Sequence, residues 1–366
     1  MIWGIYFLLF FFCTRFIVAL VNFLSFHFLP LKPQLETNPT VTVLIPARNE
    51  EKNIASILNQ LTNSTYQPLD IIVYNDKSTD KTEEIAAKFA DENNNIRVLK
   101  GTELPEGWLG KNYACYNLAK HAKSEFLLFL DADVEVKDGL IEGALDYMLN
   151  YKLKLLSIFP KQIISSFGEQ ISVPLMNWIL LSFLPLVLIR KSSNPAFSAA
   201  NGQFMMFDAS TYKKHQPHSL FRAHKVEDIA ISQYYKKNSL LTDTMLGNNL
   251  IRCKMYSGLN EAVSGFTKNI FQFFGNSVAL TILVGLITTL TPFMVYLYFG
   301  LSYLLMYIMA SVLLRVFVSL ASKQSVFKNL IFQIPQHIVF LYIIYKGIRT
   351  ITKRELIWKG RNILQV

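Results

Sequence analysis

Asp131 and Asp133 stand one residue apart at the end of the apolar run Phe126–Leu130. A run of that kind reads as a buried strand, and in extended backbone the side chains at i and i+2 leave on the same side. Two carboxylates at a strand tip offer hard oxygen donors suited to Mg2+ or Mn2+ and to the phosphates such ions accompany. A plain polar turn could use the same three residues. What other elements bring to that tip therefore decides between the two readings.

Four more polar groups could do chemistry beside it. Pro46-Ala-Arg48-Asn-Glu50 follows the apolar stretch Val41–Ile45. A carboxylate and an amide there can grip ribose or base edges, and a helix opening at Glu50 would offer free N–H groups. Asn75-Asp76-Lys-Ser-Thr-Asp80 follows Leu69–Tyr74. Asp76 can accept a hydrogen bond from a pyrimidine N–H, whereas Ser78, Thr79 and Asp80 suit a turn and a helix cap. Gly110-Lys111-Asn112 opens a predicted helix, where Lys111 can neutralise a diphosphate. Glu227-Asp228 opens another that runs to about Tyr235. An acidic pair at a helix start complements the dipole, and one of the two could also take a proton from an attacking hydroxyl.

Two familiar phosphate-binding patterns, G-x-x-x-x-G-K-[ST] and G-x-G-x-x-G, are absent, which argues against a P-loop enzyme and a dinucleotide oxidoreductase. His215, His218 and His224 are irregularly spaced without a cysteine, so they predict a solvated loop rather than a zinc site. Cys13, Cys115 and Cys253 fit no disulfide framework, and buried thiols in a reducing compartment are expected.

The elements that must position these groups alternate in type. Strands are predicted at 41–45, 69–74, 96–99, 126–130 and 155–159. Helices are predicted at 50–61, 80–89, 112–122 and 138–149, the last with Asp138 near its N-cap. Strands joined by crossover helices give a mostly parallel sheet covered on both faces, with ligands beyond the carboxyl ends of the strands.

Composition sets this domain in a membrane protein. Of 366 residues 51% are hydrophobic and only 17% charged, with 28 Phe and 17 Tyr, too apolar for an ordinary soluble enzyme. Ile2–Leu24 is long enough to span, and so are Val278–Phe299 and Leu301–Leu320. Leu330–Tyr345 is short, contains Pro335, and has basic flanks at Lys323, Lys328, Lys346, Arg349, Lys353 and Arg354, which suits a segment that dips in and returns. Ile171–Ile189 is apolar but interrupted by Pro174 and Pro185, and is expected to be re-entrant or in-plane, with a core helix as the alternative.

The expected organisation is an anchor at 1–29, a Pro30/Pro33/Pro39 linker, a catalytic domain at 40–270, membrane helices at 275–348 and a basic cytoplasmic tail at 349–366. Lys32 after the anchor places the domain on the cytoplasmic side. The net charge of +10 fits anionic lipid and phosphate-bearing substrates. It fits nucleic acid poorly, because the central bases are interleaved with acids.

I-P-A-R-N-E at 45–50, N-D-K-S-T-D at 75–80, D-A-D at 131–133 and E-D at 227–228 resemble, in that order, the inverting family-2 glycosyltransferases of GT-A fold. The likeness covers about residues 40–270. Gly110–Cys115, the Glu261-x-x-x-Gly265-Phe266-x-Lys268-Asn269 run and Trp358-Lys-Gly-Arg361 are most similar to membrane enzymes that glycosylate carotenoid acids or accompany hopanoid synthesis.

The resemblance implies a GT-A (Rossmann-like) domain, a nucleotide-diphosphate sugar donor with UDP favoured, a lipid acceptor and a divalent metal. It implies Glu50 and Asp76 on the nucleoside, Asp131 and Asp133 at the ribose–metal–diphosphate centre with Asp133 the more direct ligand, and Asp228 as base beside Glu227. Pro46 and Arg48 belong to the donor motif. Lys111, with Arg252 or Arg361, would stabilise the leaving diphosphate. Processive synthases of the family carry Q-x-x-R-W, where this chain reads Arg252-Cys-Lys-Met-Tyr256, so a single transfer is implied. Trp178 and Trp358 are expected at headgroup level. A membrane-tethered binding protein without turnover, a polysaccharide synthase and a soluble-substrate nucleotidyltransferase are the competing readings.

Overall fold

A computed structural model describes residues 2–25, 28–29, 33, 35–67, 69–353, 357–358 and 361–362. Pro30, Lys32, Arg354, Lys359 and Gly360 lie outside the described residues, as do the side chains of Trp358 and Arg361. The chain forms two compact units, one from 27–163 and 188–254, the other from 1–26, 164–187 and 255–364. Of the 40–270 span, residues 164–187 and 255–270 fall in the second unit.

The first unit is built on strands β1 (Val41–Ala47), β2 (Leu69–Asn75), β3 (Ile96–Lys100), β4 (Phe126–Leu130), β5 (Val134–Val136), β6 (Leu155–Phe159), β7 (Lys161–Gln162), β8 (Phe204–Asp208), β9 (Thr242–Leu246) and β10 (Ile251–Cys253). Seven of them form one sheet in the order β3-β2-β1-β4-β8-β6-β9. All pairings are parallel except those of β8, which runs antiparallel to both β4 and β6. Helices Ile54–Thr62, Thr82–Glu92, Gly110–His121 and Leu140–Asn150 make the crossovers. Leu44, Ile72, Leu127, Phe129, Leu118, Phe207 and Tyr235 pack in one buried cluster, as unbroken apolar strands between two helical layers require.

The five expected strands appear, and β8 and β9 join them. Phe204-Met-Met-Phe207 is an apolar run of strand length, and Thr242-Asp-Thr carries no apolar alternation to announce β9. All four helix starts move, to Ile54, Thr82, Gly110 and Leu140, and two of the shifts have a visible cause or consequence. The first helix begins at Ile54 rather than Glu50, and ahead of it the backbone N–H of Glu50 donates to Thr82 Oγ1 (2.8 Å) and that of Glu51 to Asp80 Oδ2 (3.1 Å). Those N–H groups are therefore not free for a ligand. Asp138 does not cap its helix either. Gly139, at φ +85°, takes that place and Asp138 Oδ1 accepts from the Thr65 N–H instead (3.1 Å).

In the second unit Ile2–Leu24, Val278–Phe299 and Leu301–Ala321 are helices long and apolar enough to cross a membrane. In the 330–345 stretch a turn at Phe332 separates helix Val326–Ile331 from helix Gln333–Lys353, which then runs on without a break. The 171–189 segment breaks into helices Phe167–Ser172, Pro174–Phe183 and Val187–Lys191. A ten-residue helix is about 15 Å long, half a hydrocarbon core, so this segment is no crossing. Asn22 serves the break: its Nδ2 donates to the carbonyls of Leu181 (2.9 Å) and Leu184 (2.8 Å), and its Oδ1 accepts from Leu186 N–H (2.8 Å). Trp178 is buried among these helices, against Arg15 and Phe340. Gly265 lies where any Cβ would overlap the Tyr256 ring, a packing reason for the glycine of the 261–269 run.

Candidate functional site

Three polar motifs lie at the carboxyl ends of neighbouring parallel strands. Ala47 pairs with Asn75 across β1 and β2, and β4 runs along the other side of β1. Arg48, Asp76 and Asp131 thus leave one edge of the sheet. The reversed strand completes it. Because β8 is antiparallel to β4, with Leu130 opposite Phe204, its entry turn Asn201-Gly202-Gln203 arrives beside Asp131, whose N–H donates to Gln203 O (3.3 Å).

Lys111 reaches this edge from the first turn of the Gly110–His121 helix. Its ammonium lies 2.6 Å from Asp131 Oδ1, 2.8 Å from Oδ2 and 3.4 Å from the carbonyl of Gly202. On the other face of the glycine, Asp228 Oδ2 accepts the Gly202 N–H (3.0 Å), and Oδ1 accepts the Ile229 N–H (2.8 Å). A Cβ at Gly202 would stand 3.1 Å from Lys111 Nζ, 3.6 Å from Glu227 Oε1 and 3.7 Å from Asp228 Oδ2. Acids nearly a hundred residues apart in sequence therefore meet around one lysine and one glycine. The Glu227–Lys237 helix is held there by Asn112, fully buried, whose Nδ2 donates to the carbonyls of Phe221 (2.9 Å), Arg222 (3.1 Å) and His224 (3.1 Å).

The electrostatics follow from this packing. Burial, and then the charge of Glu227, push the Asp228 carboxyl up to about 6, against the opposing pull of its two N–H bonds and of Lys111. Burial works against the Lys111 ammonium, but Asp131 and Glu227 outweigh it and hold its pKa above the ordinary lysine value. Near neutral pH the lysine is charged and Asp228 is poised as a proton acceptor.

Arg48, Glu50 and Asp76 form a neighbouring group. Arg48 Nη1 donates to Asp76 O (2.7 Å) and lies 3.7 Å from its Oδ2, while Glu50 Oε2 accepts from Asn53 Nδ2 (2.8 Å). Asn49 stitches the two loops, its N–H donating to Ser78 Oγ (3.0 Å) and its Oδ1 accepting from Thr79 N–H (2.8 Å). Pro46 sits within β1, paired with Tyr74.

Asp133 lies on the side of the D-A-D turn facing Cys253, whose thiol burial and the Asp133 charge both push up. Gln203 Nε2 donates to the same sulfur (2.8 Å). Arg252 is paired with Glu135, its antiparallel register partner, at 2.7 Å. Among the described residues no three His, Cys, Asp or Glu side chains gather to hold an ion alone. Two carboxylates at a strand tip fit an ion that takes its other ligands from water and phosphate oxygens. Of the three histidines His224 is exposed in a loop as expected and His215 is half-buried at a helix end, but His218 is buried, bonded to Tyr212 OH (2.7 Å) and tilted against Phe129, and burial followed by the Lys111 charge lowers it to about 3.

Gly202, Gln203 and Glu135 join the site without having been expected there, and Cys253, expected only as a buried thiol, lies beside Asp133. A glycine turn ahead of Phe204-Met-Met-Phe207 was the available signal for the first two. The last two depend on the β5–β10 pairing, which leaves no local trace.

Known proteins resemble this chain in sequence and in fold. The family described as Glycosyl transferase family 2 matches residues 42–215. The 4,4'-diaponeurosporenoate glycosyltransferase of Staphylococcus haemolyticus (strain JCSC1435) is 28% identical over 245 residues, 65% of this chain and 63% of that protein. The protein of the same name from Staphylococcus aureus (strain USA300) is 29% identical over 250 residues, 67% of this chain and 64% of that protein. The match thus spans somewhat less than two thirds of the length of these curated relatives. A mannosyltransferase from Pyrobaculum calidifontis, solved in complex with GDP-Man and Mn2+, has the same fold, with a TM-score of 0.55 over 93% of this chain and 97% of that one at 14% identity.

Proposed function

Since residues 42–215 form a family 2 glycosyltransferase domain and the fold is GT-A, we propose that the chain moves one sugar from a nucleotide-diphosphate donor to a lipid-type acceptor, with inversion and without processive extension. The observation that carries the reading is the convergence of Lys111, Asp131, Glu227 and Asp228 on Gly202. A carboxylate base and a diphosphate-binding cation are what such a transfer needs within one sugar's length.

In this mechanism Arg48, Glu50 and Asp76 bind the nucleoside, and Asp76 favours a pyrimidine such as that of UDP. Asp131 and Asp133 would hold a divalent metal, which when bound neutralises charge on the diphosphate. Asp228 accepts the proton of an acceptor hydroxyl as its oxygen bonds to the anomeric carbon. The bond from that carbon to the diphosphate breaks, and its electron pair leaves with the phosphate oxygen. Lys111 is placed to offset that growing charge, an interaction stronger in the transition state than before it. Arg252, paired with Glu135, would act on the phosphate only by exchanging partners.

The two staphylococcal relatives are named for a carotenoid carboxylate. A carboxylate acceptor arrives ionised and needs no base, so a half-buried Asp228 with a raised pKa favours a hydroxyl on an isoprenoid-type lipid. The three span-length helices support a multi-pass protein of the cell membrane, and the flanking charges support a cytoplasmic catalytic domain.

The test feeds a panel of labelled nucleotide sugars to membranes containing the protein and identifies glycolipid by mass spectrometry. A singly glycosylated lipid, absent with Asp228→Asn, is expected. Donor retention without product from any lipid extract would favour a binding protein instead, and a ladder of products would favour a synthase.

A further inference from the structure

Arg15 and Arg315 lie in the middle stretches of two apolar helices, Ile2–Leu24 and Leu301–Ala321, and are 6% and 3% exposed. Both guanidiniums rest on the ring of Trp178, at 4.5 Å and 5.0 Å from its centroid. Arg15 donates one hydrogen bond, from Nη2 to Ser182 Oγ (2.9 Å), and its Nε has no partner. Among the described residues Arg315 donates none, and its Nε too is buried without one.

The N–H donors of Arg15 are thus met by one hydroxyl and its charge by the rings of Trp178, Phe183 and Phe11, while Arg315 has the Trp178 face and no hydrogen-bond acceptor among the described residues. A ring face repays a buried cation only in part, and two cations on one ring repel. No acid of their unit is at hand among the described residues. Glu169 accepts from Ser165 and Ser166 N–H, and Glu261 from Ser257 N–H. None of the helices that carry or flank the pair contributes a carboxylate: Val278–Phe299 and Pro174–Phe183 have no Asp or Glu.

We propose that Arg15 and Arg315 bind an oxyanion, a carboxylate or phosphate, carried on a lipid. Planar guanidiniums match such groups through paired N–H bonds, and two of them with donors to spare call for a ligand that supplies several acceptors. The ligand is an amphiphile because the arginines sit on helices long and apolar enough to cross hydrocarbon, whose outer faces expose Phe7, Phe10, Met306 and Met309. A free anion would have to shed its water to arrive there. A lipid acid brings its charge along the bilayer.

Full-length protein in phosphatidylcholine nanodiscs tests this by native mass spectrometry and titration with palmitic acid, its methyl ester, phosphatidic acid and inorganic phosphate. Saturable binding of the two lipid acids is expected, with the ester and inorganic phosphate weaker by roughly tenfold or more. Arg15→Gln and Arg315→Gln should each weaken the lipid acids by a similar factor, and Arg315→Lys by less. Ester binding as tight as acid binding in the unaltered protein overturns the site, whether or not the glutamine variants fold. So do folded arginine variants with unchanged affinity, and inorganic phosphate that competes as well as the lipids overturns the lipid assignment. No nucleotide sugar enters the measurement, so its outcome is separate from that of the proposed transfer.

Discussion

The ammonium of Lys111 sits 2.6 and 2.8 Å from the two oxygens of Asp131, and a Cβ on the glycine it touches would lie 3.7 Å from Asp228. The cation proposed to meet the leaving diphosphate is therefore held by the first acid of the D-A-D turn, on the same glycine as the proposed base.

Removing the base should stop the chemistry and spare the fold. Asp228→Asn keeps the shape and the acceptor for Gly202 N–H, and should lower kcat by about 10²–10⁴-fold, the usual share of general-base catalysis. Radiolabelled sugar transfer measures this, and donor binding by calorimetry should stay within about twofold. Wild-type turnover in the variant would remove Asp228 from the mechanism.

The acid limb of the pH profile should fall near 6. Asp228 works ionised, so kcat/KM should rise as pH passes through about 6, the value to which burial and Glu227 push it. Glu227→Gln removes the negative neighbour, lowers that pKa and should shift the limb toward acid. The same burial acts on stability with opposite sign: the folded state is favoured below the ordinary carboxyl range and loses that advantage as pH climbs through about 6. A limb that does not move with Glu227→Gln would place the titration elsewhere.

Lys111→Gln frees Asp131 of its resident cation while removing a charge from the diphosphate. Turnover should fall by about 10²–10³-fold, as for loss of one preorganised donor. Mn2+ affinity without donor, read by electron paramagnetic resonance, should tighten by roughly tenfold, because the ion no longer competes with an ammonium. Weaker Mn2+ binding in the variant would mean the ion does not use Asp131.

Chelation should abolish transfer, and Mg2+ or Mn2+ should restore it. Asp133→Ala should raise the metal concentration for half-maximal rate by at least about tenfold, the scale of losing one carboxylate ligand. Full activity in excess chelator would count against metal dependence.

Asn112→Ala should lower stability by about 1–3 kcal/mol, because three carbonyls of the 221–224 turn lose a buried donor. Thermal unfolding measures that loss. A larger drop in kcat than in Tm would show the turn positioning Glu227 and Asp228 as well as holding the fold.

Much of this molecule is local and was legible in the chain. Val41–Ile45, Leu69–Tyr74 and Phe126–Leu130 are apolar runs of strand length ended by polar residues, and each such boundary marks where backbone leaves the sheet. The acids and Lys111 could be named for the same reason, because strand tips and helix starts are set within a few residues. The three long apolar helices needed only their length and hydropathy. Tertiary structure decided the rest. The reversal of β8 brings Gly202 between Lys111 and Asp228, and the β5–β10 pairing gives Arg252 to Glu135. Asn22 bonds the backbone at the gap after Phe183, and Trp178 becomes the seat of two arginines. Strand direction, charge pairing and burial arise from contacts between segments far apart in the chain, and no window of neighbouring residues records them.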